Sequence, residues 1–155
     1  MSDNLCADAE LTSLSKVYDR GDDATHGEHR HRALDVAECN DSVTWKGPAG
    51  DRSGALTVRL KLHKSTDPRP EFEANGEAVE TNSGPKTVKT PIEGLGERAY
   101  FGTVDTGNVS VLIVMALDGG AEFSTSVVAD GAHSSEELKP LMIRDMRALM
   151  ARLKA

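Results

Sequence analysis

The chain has 155 residues, 38% hydrophobic, 28% charged and 4% aromatic, with 25 acids against 18 bases for a formal net charge of −7. A chain of this length reads as one domain, residues 1–155, that buries about two thirds of its unfolded surface. The acidic balance and the scarcity of aromatic rings argue against a nucleic-acid binder, and no apolar run approaches the roughly eighteen residues that span a bilayer.

The opening Met1-Ser2-Asp3-Asn4 is polar and lacks a signal-peptide pattern, which fits a cytosolic protein or one whose export segment lies outside this sequence. From Asp8 to Tyr18 the apolar Leu11, Leu14 and Tyr18 recur at helical spacing, with Asp8 as cap and Gly21 as stop, and predict an N-terminal helix. Residues 19–32 are almost wholly charged or small, bury too little to order themselves and predict a mobile loop. Ala33–Ala37 and Ser42–Lys46 read as extended segments flanking a Cys39-Asn40-Asp41 turn, and Gly47-Pro48-Ala49-Gly50 breaks the second. Leu56, Val58, Leu60 and Leu62 alternate with polar residues, the period of a strand with one buried face.

Asp67-Pro68 predicts the start of a short helix that Gly76 weakens. A turn over 81–86 precedes a short strand, Thr87–Ile92, whose Pro91 belongs at an edge or an end. Gly94-Leu95-Gly96 is a turn leading into a strand over Arg98–Val104. Val109–Leu117 is apolar on both faces and predicts a central strand covered on both sides. Asp118-Gly119-Gly120 then predicts a hairpin to Ala121–Ala129, with Phe123 and Val127 facing the core. A capping box at Ser134-Ser135-Glu136-Glu137 opens a long C-terminal helix with an apolar stripe from Leu138 to Leu153. Pro140 implies a separate first turn or a kink. The resulting fold class is α+β: an antiparallel sheet of about six to seven strands packed with an N-terminal and a long C-terminal helix. Trp45, Phe72, Phe101 and Phe123 are its expected core aromatics.

Two cysteines without CxxC spacing argue against a zinc ribbon, a thioredoxin-like motif or a haem attachment. They leave either a Cys6–Cys39 disulfide, which across a loop of roughly 33 residues stabilises by roughly 3–4 kcal/mol, or two buried free thiols in a cytosolic protein.

Leu5-Cys6 before a short helix, Cys39 six residues ahead of Trp45, and Ile92-Glu93-Gly94-Leu95-Gly96-Glu97-Arg98-Ala99-Tyr100 entering a strand together resemble the actinobacterial secreted lipoproteins grouped as a domain of unknown function. The resemblance spans most of the chain. It implies export, attachment to the outer membrane face through a lipidated cysteine outside this sequence, one disulfide, and a fold similar to the PsbP and Mog1 group. The family has no established catalytic residues, so it supplies none here.

His26, His29 and His31 lie within six residues and carry imidazoles that suit zinc, copper or nickel, although the spacing is unlike HExxH and no partners that would orient the ligands are evident. Ser13-Leu14-Ser15-Lys16 matches S-x-x-K without the companion motifs of that chemistry and reads as a helical surface. Asp19, Asp22 and Asp23 do not fit a calcium loop, Gly94-Leu95-Gly96 opens a strand and not a phosphate-binding helix, and Met142, Met146 and Met150 read as core before partner-binding stripe. The expectation is a non-catalytic extracytoplasmic domain, secreted or held at the surface as a lipoprotein, without a cofactor, that binds a protein partner or a small apolar ligand between the sheet and a helix. The alternatives are a small hydrolase or metal-binding protein using the histidine segment, and a cytoplasmic adaptor of the Mog1 type.

Overall fold

The computed structural model describes residues 2–45, 48, 50–81, 87–105, 109–129 and 133–154. Residues 82–86 of the expected turn over 81–86, and residues 46, 47 and 49 of the strand end and breaker, lie outside them. The fold is α+β, a single antiparallel sheet with helices on both faces. Its strands are β1 (Tyr18–Arg20), β2 (Thr25–Arg30), β3 (Leu34–Trp45), β4 (Arg52–His63), β5 (Val88–Pro91), β6 (Arg98–Asp105), β7 (Ser110–Asp118) and β8 (Ala121–Ala129). They lie in the order β1-β3-β4-β8-β7-β6-β5, and β2 shares the outer edge of β3 with β1. The helices are α1 (Leu5–Asp8), α2 (Arg69–Thr81) and α3 (Ser135–Lys154), with a 3-10 turn at Leu14–Lys16.

Alternation assigns the two faces. Ala37, Cys39, Val43 and Trp45 of β3, Leu56, Val58 and Leu60 of β4, Leu112, Val114 and Ala116 of β7, and Phe123 and Val127 of β8 form one buried layer with α1 and α3. α3 contributes Leu138, Met142, Met146, Leu149 and Met150, so the methionine row is core. A smaller cluster on the opposite face packs Phe72 of α2 on Tyr100, Met115 and Leu117. β7 is therefore apolar on both faces because it is covered on both, as its sequence predicts. Trp45, Phe72, Phe101 and Phe123 are all buried, and the Trp45 indole meets Tyr18 edge to face with ring centroids 5.1 Å apart. The indole lies over Gly54, where a Cβ would come within 2.5 Å of its Nε1.

Four local readings are corrected. The helix expected over Asp8–Tyr18 is replaced by α1, which Asn4 caps, and the 3-10 turn, because the backbone at Leu11 turns left-handed (φ 48°). Leu11, Leu14 and Tyr18 are buried all the same, so their spacing reflects burial and not one continuous helix. Residues 19–32 are not a loop: they supply β1 and β2, which raises the sheet to eight strands. Their order comes from backbone pairing along β3, since nearly every β2 side chain is exposed. The Cys39-Asn40-Asp41 turn is absent, because β3 runs unbroken for 12 residues. Its edge partner changes there, from β2 up to Asn40 to β1 from Val43. Finally, α2 is 13 residues long and passes through Gly76, where a Cβ would lie 2.9 Å from Lys89 Nζ and 3.3 Å from Tyr100. That glycine permits close approach to the sheet. Pro140, in contrast, leaves α3 one helix, and the capping box forms with Glu137 N donating to Ser134 Oγ and Ser134 N to the Glu137 carboxylate.

The N-terminal segment is tied to α3 by a buried acid within the apolar stripe. Asp145, 3% exposed, accepts from the backbone N–H groups of Ser13 and Leu14 at 2.8 Å each, capping the 3-10 turn from 131 and 132 residues away. Replacing Asp145 with Ala is expected to strand both donors and lower stability by roughly 3 kcal/mol in urea unfolding, with Asp145→Asn intermediate because its amide keeps one acceptor.

Candidate binding site

Cys6 of α1 and Cys39 in the middle of β3 are joined by a disulfide that closes a 33-residue separation. Three further contacts fix the same segment. Arg20 donates to Ala9 O at 3.1 Å and pairs with the buried Asp41 carboxylate, with its guanidinium 3.8 Å from Cys39 Sγ. Leu5 N donates to His26 Nδ1 at 3.3 Å. From the other end of the chain, Arg152 donates to Asp8 O at 3.3 Å and pairs with Glu10.

Held in this way, the N-terminal segment forms one wall of a cavity of about 530 Å³ between α1, the C-terminal end of α3 and the sheet. The floor is apolar: Leu60, Leu62, Ala121 and Phe123 from β4 and β8, and Leu153 from α3. Asn4, Ala7 and Asp8 line the opposite wall, and Asp3, Arg152 and Lys154 supply charge at the rim. The volume lies within the range of small-ligand sites, and the combination of apolar floor and polar rim is their usual chemistry. A groove of about 420 Å³ on the other face, beside α2, has a different character. Several of its polar side chains pair with one another: Arg59 pairs with Glu38, Asn40 donates to Glu38 at 2.6 Å, and Thr57 donates to Asn40 at 2.8 Å.

At one end of that groove the structure gathers a buried polar cluster. Lys61 and His63 stand on the same face of β4, Glu122 lies opposite Lys61 on β8, and Glu71 reaches in from the first turn of α2. Lys61 Nζ donates to Glu71 Oε1 and lies 3.2 Å from Glu122 Oε1. The hydrogen bond from Lys61 holds the Glu71 carboxyl below its ordinary value, against the opposing effect of burial. Burial pulls Lys61 down, but the hydrogen bond to Glu71 and the charge of Glu122 outweigh it and its pKa is raised. One nitrogen of His63 and one oxygen each of Glu71 and Glu122 lie within 4.8 Å of one another, the one metal-capable group of this kind among the described residues.

The residues singled out from the sequence are distributed differently. His26 and His29 fall on opposite faces of β2 by its alternation, and His31 follows the strand, so the three are not brought together. His29 and His31 are exposed. Ser13 precedes the 3-10 turn and is buried together with Leu14, so Ser13–Lys16 is not the helical surface expected, and Asp23 accepts from Ser42 at the seam between β1 and β2. Gly94 and Gly96 both take positive φ in the turn before β6. Glu122 and Glu71 were not foreseen, because only the β4–β8 register and the crossing of α2 bring them to His63. No family model, curated protein or solved structure matches the chain.

Folding favours the ionised Glu71, so its stabilisation is fully present above the unfolded carboxyl pKa and is lost as pH falls through the lower folded value. Lys61 acts on the alkaline side: its stabilisation is full below the unfolded ammonium pKa and is lost as pH rises through the raised folded value. Lys61→Met is expected to abolish both dependences and, by leaving Glu122 buried without its cation, to cost roughly 3–5 kcal/mol in urea unfolding at neutral pH.

Proposed function

We propose that the protein is a non-catalytic binding domain of an extracytoplasmic compartment, which holds a small amphiphilic molecule in the cavity between α1, α3 and the sheet. The observation that carries this reading is the cavity of about 530 Å³, whose apolar floor of Leu60, Leu62, Phe123 and Leu153 opens to a charged rim. An apolar body seats on that floor, and a polar end remains at the rim beside Arg152 and Lys154. The compartment is supported by the Cys6–Cys39 bond, since such bonds persist in oxidising surroundings, and this favours an exported domain over a cytoplasmic adaptor. Attachment as a lipoprotein rests on the resemblance carried by Cys6, Cys39, Trp45 and the Ile92–Tyr100 segment.

Ala7 is exposed on α1 and lines the cavity without belonging to the core, so Ala7→Trp fills the space from its wall. The oxidised protein titrated with anilinonaphthalene sulfonate is expected to bind one equivalent. Ala7→Trp should weaken binding at least about tenfold, or roughly 1.4 kcal/mol, while the melting temperature stays the same. Equal affinity in the two proteins would place the probe elsewhere and remove the reading.

A further inference from the structure

The cluster at the start of α2 has more acids and more unpaired polar atoms than Lys61 accounts for. Glu122 is 2% exposed, and its Oε1 accepts from Asn75 at 3.4 Å and from Lys61, but its Oε2 is buried without a hydrogen-bond partner. The His63 side chain is 4% exposed. Its Nδ1 lies 3.2 Å from Thr66 Oγ1, and its Nε2 is likewise buried without a hydrogen-bond partner. Nε2 points at Glu71 Oε2 from 3.9 Å, beyond hydrogen-bond reach. Buried donors and acceptors are normally paired, and here two unpaired side chains belong to one group whose ligand atoms lie within 4.8 Å of one another, which gives them a chemical meaning that an isolated orphan lacks.

The bonds that are made separate the oxygens into two sets. Lys61 engages Oε1 of both acids, while Glu71 Oε2 lies 3.9 Å from His63 Nε2 and Glu122 Oε2 has no hydrogen-bond partner. If His63 Nδ1 donates to Thr66, the tautomer is fixed with a lone pair on Nε2, the arrangement in which imidazole binds metals. The two acids outnumber the one ammonium, and this excess favours a cation. An imidazole with two carboxylates suits zinc and its first-row neighbours, whereas calcium and magnesium prefer oxygen alone.

We propose that His63, Glu71 and Glu122 form a binding site for a divalent transition-metal ion, coordinated by His63 Nε2 and one oxygen from each acid, with Lys61 and Asn75 holding the remaining oxygens. Three protein ligands leave a further position for water. Since the ligand atoms lie up to 4.8 Å apart, binding draws them together by up to about 1.5 Å to reach the usual separation around zinc. Glu71 is the most exposed of the three, and its long side chain on the first turn of α2 provides that movement. The site lies on the opposite face of the sheet from the amphiphile cavity, so the two stand or fall separately.

Calorimetric titration of the oxidised, metal-free protein with zinc chloride at neutral pH is expected to show one site with Kd of about 1 µM or tighter. Cobalt(II) should produce a visible d–d band at the same stoichiometry. His63→Ala should weaken zinc roughly 100-fold and abolish the band, and Thr66→Ala should weaken zinc about tenfold through loss of the ring's orientation. Glu71→Gln, on an exposed side chain, reports on the site even if the buried Glu122→Gln variant fails to fold. The joint replacement of the exposed His29 and His31 by Ala should leave the zinc affinity unchanged. Affinity weaker than about 100 µM, or affinity unchanged in both His63→Ala and Glu71→Gln, would overturn the proposal.

Discussion

The Cys6–Cys39 bond is the constraint on which the rest of this structure turns. α1 has only four residues, too few to hold a helix in water or to bury much surface, and its only fully buried side chain is Leu5. The bond attaches it to the middle of the 12-residue β3, between β4 and the short outer strands β1 and β2, and on a chain-entropy estimate such a closure stabilises by about 3–4 kcal/mol. With α1 so placed, its carbonyls at Asp8 and Ala9 receive Arg152 and Arg20, and its outer face becomes the wall of the cavity. Architecture and the proposed binding function therefore depend on the same covalent link.

Buried acids complete what the bond begins. Asp41 accepts Arg20 beside the disulfide, Asp145 caps the 3-10 turn from the core side of α3, and Glu122 receives Lys61 under α2. Each joins segments that are far apart in the chain. An acid of this kind costs desolvation and returns it only when its partner is in place, so it penalises alternative packings as well as stabilising the native one. At Glu122 the unpaired oxygen belongs to a group that also holds the unpaired His63 Nε2 and the Glu71 carboxylate, and that grouping is what distinguishes a candidate metal site from a structural ion pair.

Much of this fold was legible from periodicity. The alternation in Leu56–Leu62, the two apolar faces of Val109–Leu117 and the capping box at Ser134 each predict the element found, because each is a local pattern repeated over many residues. What escaped was decided by tertiary partners. Thr25–Arg30 has no apolar face and becomes a strand only because β3 offers an edge, while Asn40-Asp41 has turn chemistry that the two flanking strands override. The helix expected through Leu11 fails at one backbone angle that no side-chain pattern reveals. The pairing of the cysteines was one of two readings. The His63, Glu71 and Glu122 group was invisible, since its members come from two strands and a helix and share no motif.

The central claim is that the disulfide, by holding α1 in place, builds the ligand cavity. It is tested most directly by titrating anilinonaphthalene sulfonate into the oxidised protein and into the Cys6→Ala, Cys39→Ala double variant, with circular dichroism confirming the sheet in both. The double variant is expected to keep its sheet but lose at least about tenfold in affinity. A folded double variant that binds the probe as tightly as the oxidised protein would contradict it.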